Sequence, residues 1–217
     1  MQPSETNFQS RSIEGFAFRL KDAAMTQARN AKLKQACSNA IIARFWYPYD
    51  DGWTHGYVLD IGPEFFLLAL IDENIKFNGF ECHLVSDIKR LKLPDPYEDF
   101  TVAALRKQRQ RIDRKPDIDL SSLPALLKSA NALFPSVTIH QERAKPGECF
   151  IGNVMDISER TLLLHTIDPG AVWHKKPYRL RLAEITRVDF GGGYEQALHL
   201  VGGNPKPLKK STRPSNR

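Results

Sequence analysis

Four aspartates recur in pairs. Asp60 and Asp156 hold one place in a repeated stretch, and Asp72 and Asp168 hold another. Two carboxylates at set places can serve as acid and base. An Asp at a strand end also accepts the N–H groups of the next turn. Recurrence favours the turn role, because a repeated fold needs repeated turns. The six histidines are His55, His83, His140, His165, His174 and His199. None has the helical i, i+4 spacing or the adjacent C-x-x-C pair of a zinc site. His165 lies in the apolar stretch from Thr161 to Ile167 and reads as a half-buried strand residue. Cys82 and His83 are neighbours, so on a strand they point to opposite faces and form no dyad. There is no G-x-S-x-G elbow. Gly191-Gly192-Gly193 is not followed by Lys-Ser/Thr or by a clear helix, so it reads as a flexible turn rather than a phosphate loop. The residues predict no catalytic constellation, no metal and no cofactor.

The binding signals are basic and aromatic. Arg106, Lys107, Arg109, Arg111, Arg114 and Lys115 face a single opposing Asp113. The tail adds Lys206, Lys209, Lys210, Arg213 and Arg217. Two basic segments can grip one polyanion, with affinity that falls as salt rises. A solvated helix face has the same composition. Phe45, Trp46, Tyr47, Tyr49 and Trp53 cluster around the first expected hairpin. Of these, Trp46, Tyr49 and Trp53, beside Arg44, form a candidate aromatic patch for stacking bases or holding a peptide. Aromatics packed between a helix and a sheet give the same pattern.

The elements that position these residues come from a repeat. Gly56-Tyr57-Val58-Leu59-Asp60-Ile61 returns 96 residues later as Gly152-Asn153-Val154-Met155-Asp156-Ile157. Leu67-Leu68 answers to Leu163-Leu164. After one inserted residue, Asp87-Ile88-Lys89-Arg90-Leu91 answers to Glu184-Ile185-Thr186-Arg187-Val188. Alternation and turn residues predict strands near 41–47, 53–61, 65–71, 80–85 and 91–93. In the second copy they fall near 136–142, 149–157, 161–167, 178–182 and from 187, with a further strand at 194–201. Single tight turns are expected at 86–89 and 183–186. The run Phe65 to Ile71 is apolar throughout, which requires burial on both faces. Helices are expected at 14–39, at 97–114 and from Ser121 or Ser122 to Leu133.

Four strands, a one-turn helix and a short fifth strand form a layout that resembles Sm-like or SH3-like small β-barrels. The resemblance extends to uncharacterised bacterial proteins with tandem units of this kind and covers about 41–93 and 137–200. It implies an α+β, mainly β fold: a tandem repeat of two small five-stranded barrels, each preceded by a helix. The expected organisation is a disordered N-terminus at 1–12 and helix plus first barrel at 13–93. A basic helical linker at 94–120, helix plus second barrel at 121–201 and a disordered basic tail at 202–217 complete it.

The net charge of +6 is uneven. Residues 1–39 carry +3, 40–100 carry −6, 101–135 carry +4, 136–200 carry 0 and 201–217 carry +5. A nucleic-acid reader with a basic barrel face would show the opposite pattern. No run of about 18 apolar residues suggests a membrane span, and no secretory signal is visible. Three widely spaced cysteines, Cys37, Cys82 and Cys149, read as free thiols of a cytoplasmic protein. The expected function is a non-enzymatic intracellular binding or adaptor protein whose partner, a protein or a nucleic acid, the residues leave open. The alternative is RNA or single-stranded nucleic-acid binding through the basic segments. A weaker one is an enzyme with a site between the barrels.

Overall fold

A computed structural model describes residues 26–206. Helix α1 spans 26–39 within them, and the expectations for 1–12, for 14–25 and for the tail from 207 on lie outside the described residues. The strands are β1 (Ile42–Trp46), β2 (Thr54–Ile61), β3 (Phe65–Ile71), β4 (Phe77–Leu84) and β5 (Arg90–Lys92), then β6 (Val137–His140), β7 (Cys149–Ile157), β8 (Thr161–Thr166), β9 (Tyr178–Arg181) and β10 (Arg187–Phe190). Between the two sets come α2 (Glu98–Lys107) and α3 (Leu123–Leu133), and α4 (Gly193–Gly202) follows the last strand.

The expectation of two small barrels is overturned. All ten strands form one open antiparallel sheet in the order β5-β1-β2-β3-β4-β10-β6-β7-β8-β9. The join is β4 against β10, with Arg187 opposite His83, Val188 opposite Cys82, Asp189 opposite Glu81 and Phe190 opposite Phe80. The physical reason is size. A unit of roughly 55–65 residues is marginal by itself, and sharing a core with its repeat adds buried apolar surface. Pairing β4 with β10 satisfies two edges that would otherwise expose their backbone groups.

The core shows the same sharing. Phe66 and Leu68 of β3 pack with Phe45, Tyr47 and Val58 beneath Leu33 and Ala36 of α1. Phe65 and Leu67, on the other face of that strand, join Cys82 in a cluster with Ile139, Leu162, Leu164 and Val188. Leu126, Leu127 and Ala130 of α3 cover that cluster. The two-faced burial expected for 65–71 is therefore explained: each unit has its own covering helix, and β3 also serves the second unit's core.

The repeat holds in register. Gly56 pairs with Leu70 and Gly152 with Thr166, and each hairpin has a bulge after the motif valine, between Val58 and Asp60 or between Val154 and Asp156. A Cβ at Gly56 would lie 2.0 Å from the Ala69 carbonyl oxygen, and one at Gly152 would lie 2.0 Å from that of His165. Only glycine tolerates such an approach. The one-turn helices Val85–Asp87 and Leu182–Glu184 stand where tight turns are expected.

Two further expectations are corrected. Residues 194–201 lie in α4 and not in a strand. Tyr194, Leu198 and Val201 have helical spacing, and Leu198 buries against Ile151 and Ile167. The glycine triplet does therefore lead into a helix, whose Gly193 N–H donates to Asn78 Oδ1 at 2.8 Å. The helix expected at 97–114 stops at Lys107. There Gln108 Nε2 donates to the carbonyls of Asn74 and Ile75, and Arg109 turns the chain at φ 55°. Gln110 Oε1 then accepts the Phe77 N–H at 3.2 Å. These tertiary hydrogen bonds hold the chain away from the helical path. Ser122 does cap α3, accepting the Ala125 N–H.

Candidate binding surface

The site grows from Asp95, which lies between two prolines at the entry to α2. Its N–H donates to the Ile42 carbonyl, tying the entry to β1. Its Oδ1 accepts the Tyr97 N–H at 2.8 Å, an Asx turn that leads the chain into the helix. Glu98 Oε1 accepts the Ile42 N–H at 2.7 Å.

The carboxylate of Asp95 then grips Arg44 of β1 with two parallel bonds, Nε to Oδ2 at 2.6 Å and Nη2 to Oδ1 at 3.0 Å. His55 Nδ1 stands 3.2 Å from the same Oδ2. Burial alone would raise the Asp95 pKa. The bonds from Arg44, Tyr97 and His55 outweigh it and hold the carboxyl below its ordinary value. Burial lowers the His55 pKa, and Asp95 only partly opposes this. Among the described residues no hydroxyl or thiol is hydrogen-bonded to His55, so the Asp–His pair has no nucleophile to activate.

Above the locked guanidinium stand aromatic rings. Arg44 Cζ lies 3.7 Å from the Trp53 centroid and 5.4 Å from that of Tyr97. Trp53 also meets His55 edge-on at 4.8 Å. Trp53 and Tyr97 are backed by the Arg44 guanidinium and open to solvent, at 46% and 63% exposed, and Phe100 nearby is 64% exposed. A cluster of large exposed aromatics makes this a candidate binding surface. Two clefts flank them. One of about 350 Å³ is lined by Trp53, His55, Asp72 and Glu73, and one of about 470 Å³ by Pro94, Pro96, Tyr97, Asp99 and Phe100. Arg44 is neutralised by Asp95. The remaining charges at the clefts, Asp72, Glu73, Glu98 and Asp99 against Lys92, leave the surface acidic.

The candidate aromatic patch divides. Trp53 belongs to this surface. Trp46 is covered by the Arg90 guanidinium at 4.6 Å, and Tyr49 stacks on Tyr47 at 5.8 Å. The basic residues Arg106, Lys107, Arg109, Arg111, Arg114 and Lys115 are all exposed. Arg111 pairs with Asp113 and Lys115 with Asp60, each at 2.6 Å. Lys209 and Lys210 lie outside the described residues. Asp72 and Asp168 make the same turn, accepting the N–H groups of Asn74 and Lys76 in one copy and of Gly170 and Val172 in the other. They do not face each other as an acid–base pair. The sequence reading missed Asp95 and Tyr97, whose only signal was an Asp between two prolines before a Tyr-Glu helix start.

A second polar cluster lies in the seam between the units. Arg187 reaches Glu142 at 3.2 Å and Asp189 at 3.1 Å, while His140 Nε2 stands 2.8 Å from Asp189 Oδ2 and His83 Nε2 stands 2.8 Å from Glu81. Burial opposes ionisation of Asp189, but Arg187 and His140 hold its pKa below the usual range. Burial raises the Tyr47 hydroxyl pKa well above normal, and that ring stacks on His83 at 4.4 Å. The ion pairs hold the seam together, while the buried Tyr47 hydroxyl and His83 Nδ1 have no hydrogen-bond partner among the described residues. Among the described residues no three His, Cys, Asp or Glu side chains are placed to hold a metal ion. Likewise no helix is long and apolar enough to cross a membrane. No family model matches the chain, nor does any curated protein or solved structure.

Proposed function

We propose that the protein is a non-enzymatic binding or adaptor protein, and that its partner is a protein with an extended, basic segment. The observation that carries this is the Trp53–Arg44–Tyr97 stack, with Phe100 beside it. Its rings are open to solvent, yet their support is a buried ion pair. Rigid aromatics lose little entropy on binding and attract Lys or Arg side chains to their faces. Glu73 and Asp99 stand beside those faces to meet the same cations. Aromatic-lined grooves of this kind suit extended, proline-containing peptides.

Nucleic acid is the second reading. Arg106, Lys107, Arg109 and Arg114 are exposed and have no carboxylate partner among the described residues. It stands on charge alone, because the open aromatics sit among carboxylates that repel phosphates.

One anisotropy titration tests both. The probes are a labelled dodecapeptide of alternating Arg and Pro, the same peptide with Glu for Arg, and a labelled 12-nucleotide single-stranded RNA. The proposal expects the Arg-Pro peptide to bind, the Glu peptide to fail, and Trp53→Ala with Tyr97→Ala to weaken binding at least about tenfold with the far-UV spectrum unchanged. RNA binding that survives Trp53→Ala and disappears when 106–115 is neutralised, with no peptide binding, would replace this reading by the second.

A further inference from the structure

A larger cleft lies elsewhere on the first unit. It measures about 530 Å³ and runs between the C-terminal end of α1, strand β2 and the segment from α2 to Ile112. Its walls are apolar: Tyr57, Leu59, Phe77, Val102 and Ile112. Tyr57, Phe77 and Val102 are only half-buried where they pack around Ile42, Ile71 and Leu105. Its polar lining is Arg106, Gln110 and Arg111; both arginines are exposed, and Arg111 meets Asp113 through its Nε. The wall from Gln108 to Ile112 is pinned by the bonds of Gln108 and Gln110 to β4 and the loop before it. The cleft is therefore held open by structure and does not depend on a loose loop.

The repeat supplies an internal comparison. Ala43 and Val137 stand opposite the two motif glycines, so they are equivalent positions. Six residues before them stand Cys37 and Asn131. Asn131 fills its place, with Oδ1 accepting the Val154 N–H at 2.7 Å. Cys37 instead lines the cleft beside Val58, the equivalent of Val154. Tyr57 of the cleft answers to Asn153, whose side chain bonds the Pro135 carbonyl. The same fold is built twice, and the first copy alone has apolar residues where the second has amides. The fold does not require this cleft.

We propose that the cleft binds a small amphipathic anion: a medium-chain aliphatic carboxylate, its tail along Tyr57, Leu59, Phe77 and Val102 and its carboxylate on Arg106 and Arg111. A cleft of this size, mostly apolar with two arginines in its lining, suits one such molecule. A guanidinium meets a carboxylate with two parallel bonds. Burial and the nearby Asp60 raise the Cys37 pKa, so its thiol stays protonated and serves as wall and not as nucleophile.

The test is calorimetric titration of the full chain with dodecanoate below its micelle concentration. Dodecyltrimethylammonium carries the same tail with the opposite head, and acetate carries the head alone. The expected result is one dodecanoate per chain, at least tenfold weaker binding of the ammonium, and none of acetate. Arg106→Gln with Arg111→Gln should weaken dodecanoate about tenfold or more. Ile112→Glu, in the half-buried wall of the cleft, should do the same with the fold retained by circular dichroism. Trp53→Ala should leave dodecanoate unchanged, which separates this site from the peptide surface. Equal binding of both amphiphiles, or no effect of the arginine pair, overturns the proposal. So does binding to phosphatidylglycerol vesicles without binding of monomeric dodecanoate, which would make the two arginines a membrane contact.

Discussion

Removing the Asp95 carboxylate should be among the most costly single changes in the first unit. Its side chain is 0% exposed and that of Arg44 is 8% exposed. Asp95→Ala leaves a guanidinium buried without its counter-ion, and breaking a buried pair from one side costs about 3–5 kcal/mol. The Tyr97 N–H loses its acceptor at the same time, so the entry to α2 loosens as well. A domain's whole stability is about 5–15 kcal/mol, so this single change approaches the limit. The double variant Arg44→Met with Asp95→Leu supplies the control. It removes both charges and fills the volume, and such replacements are often neutral. The double should therefore be more stable than either single variant, which is opposite to additivity. Urea unfolding followed by tryptophan emission and by far-UV dichroism measures the wild type, Asp95→Ala, the singles Arg44→Met and Asp95→Leu, and the double. If Asp95→Ala costs less than about 1 kcal/mol, or if the double equals the sum of the singles, Arg44 is not locked by Asp95 and the rigid base of the Trp53 stack is lost from the argument.

Acid should weaken the same region. His55 and Asp95 both have folded pKa values below their ordinary ones, so their stabilisation is present above the unfolded values, about 6.5 and 3.9, and is lost as pH falls through the folded ones. His55→Gln should flatten the stability slope just below about pH 6.5, measured by urea midpoints across pH; an unchanged slope would refute the assignment. Gly152→Ala places a Cβ against a backbone carbonyl and should cost at least about 2–3 kcal/mol. Gly147→Ala, with φ at +76° and open space around it, should cost about 1–2 kcal/mol; a thermal melt in which the two are equal would remove the close-approach argument. A fragment of residues 1–107 keeps α1, α2 and the first five strands but exposes Phe65, Leu67, Cys82 and the edge of β4. It should not fold as a monomer, and a dispersed amide spectrum from it would show that the core is not shared.

What the sequence revealed was local. The motif Gly56-Tyr57-Val58-Leu59-Asp60-Ile61 is a steric requirement at its glycine and a bulge after its valine, both set by near neighbours, so both copies show it. The strand at Phe65–Ile71 was legible because every residue in it is apolar. The aromatic surface was only partly legible. Trp53 was visible, but Arg44 and Asp95 are 51 residues apart and meet because β1 pairs with β5. The end of α2 was hidden for a similar reason, since its stop comes from Gln108 and Gln110 reaching residues 74–77. Side chains that act across the fold leave no periodic trace.

The seam was hidden by its own chemistry. On β4, Phe80-Glu81-Cys82-His83 alternates, and on β10 so does Arg187-Val188-Asp189-Phe190. Each strand alone reads as one apolar face toward a core and one polar face toward water. Across the seam, the polar faces hold both signs, and Arg187 and the histidines stand among Glu81, Glu142 and Asp189. The free edges differ. β5 presents Arg90 and Lys92, and β9 presents Arg179 and Arg181. Repeating the β4–β10 join between two chains would bring four cations together with no carboxylate from either strand. Charged residues on short edge strands block such pairing. Among the described residues the repeat thus makes a ten-stranded sheet whose halves join through mixed charge and whose two edge strands carry like charge.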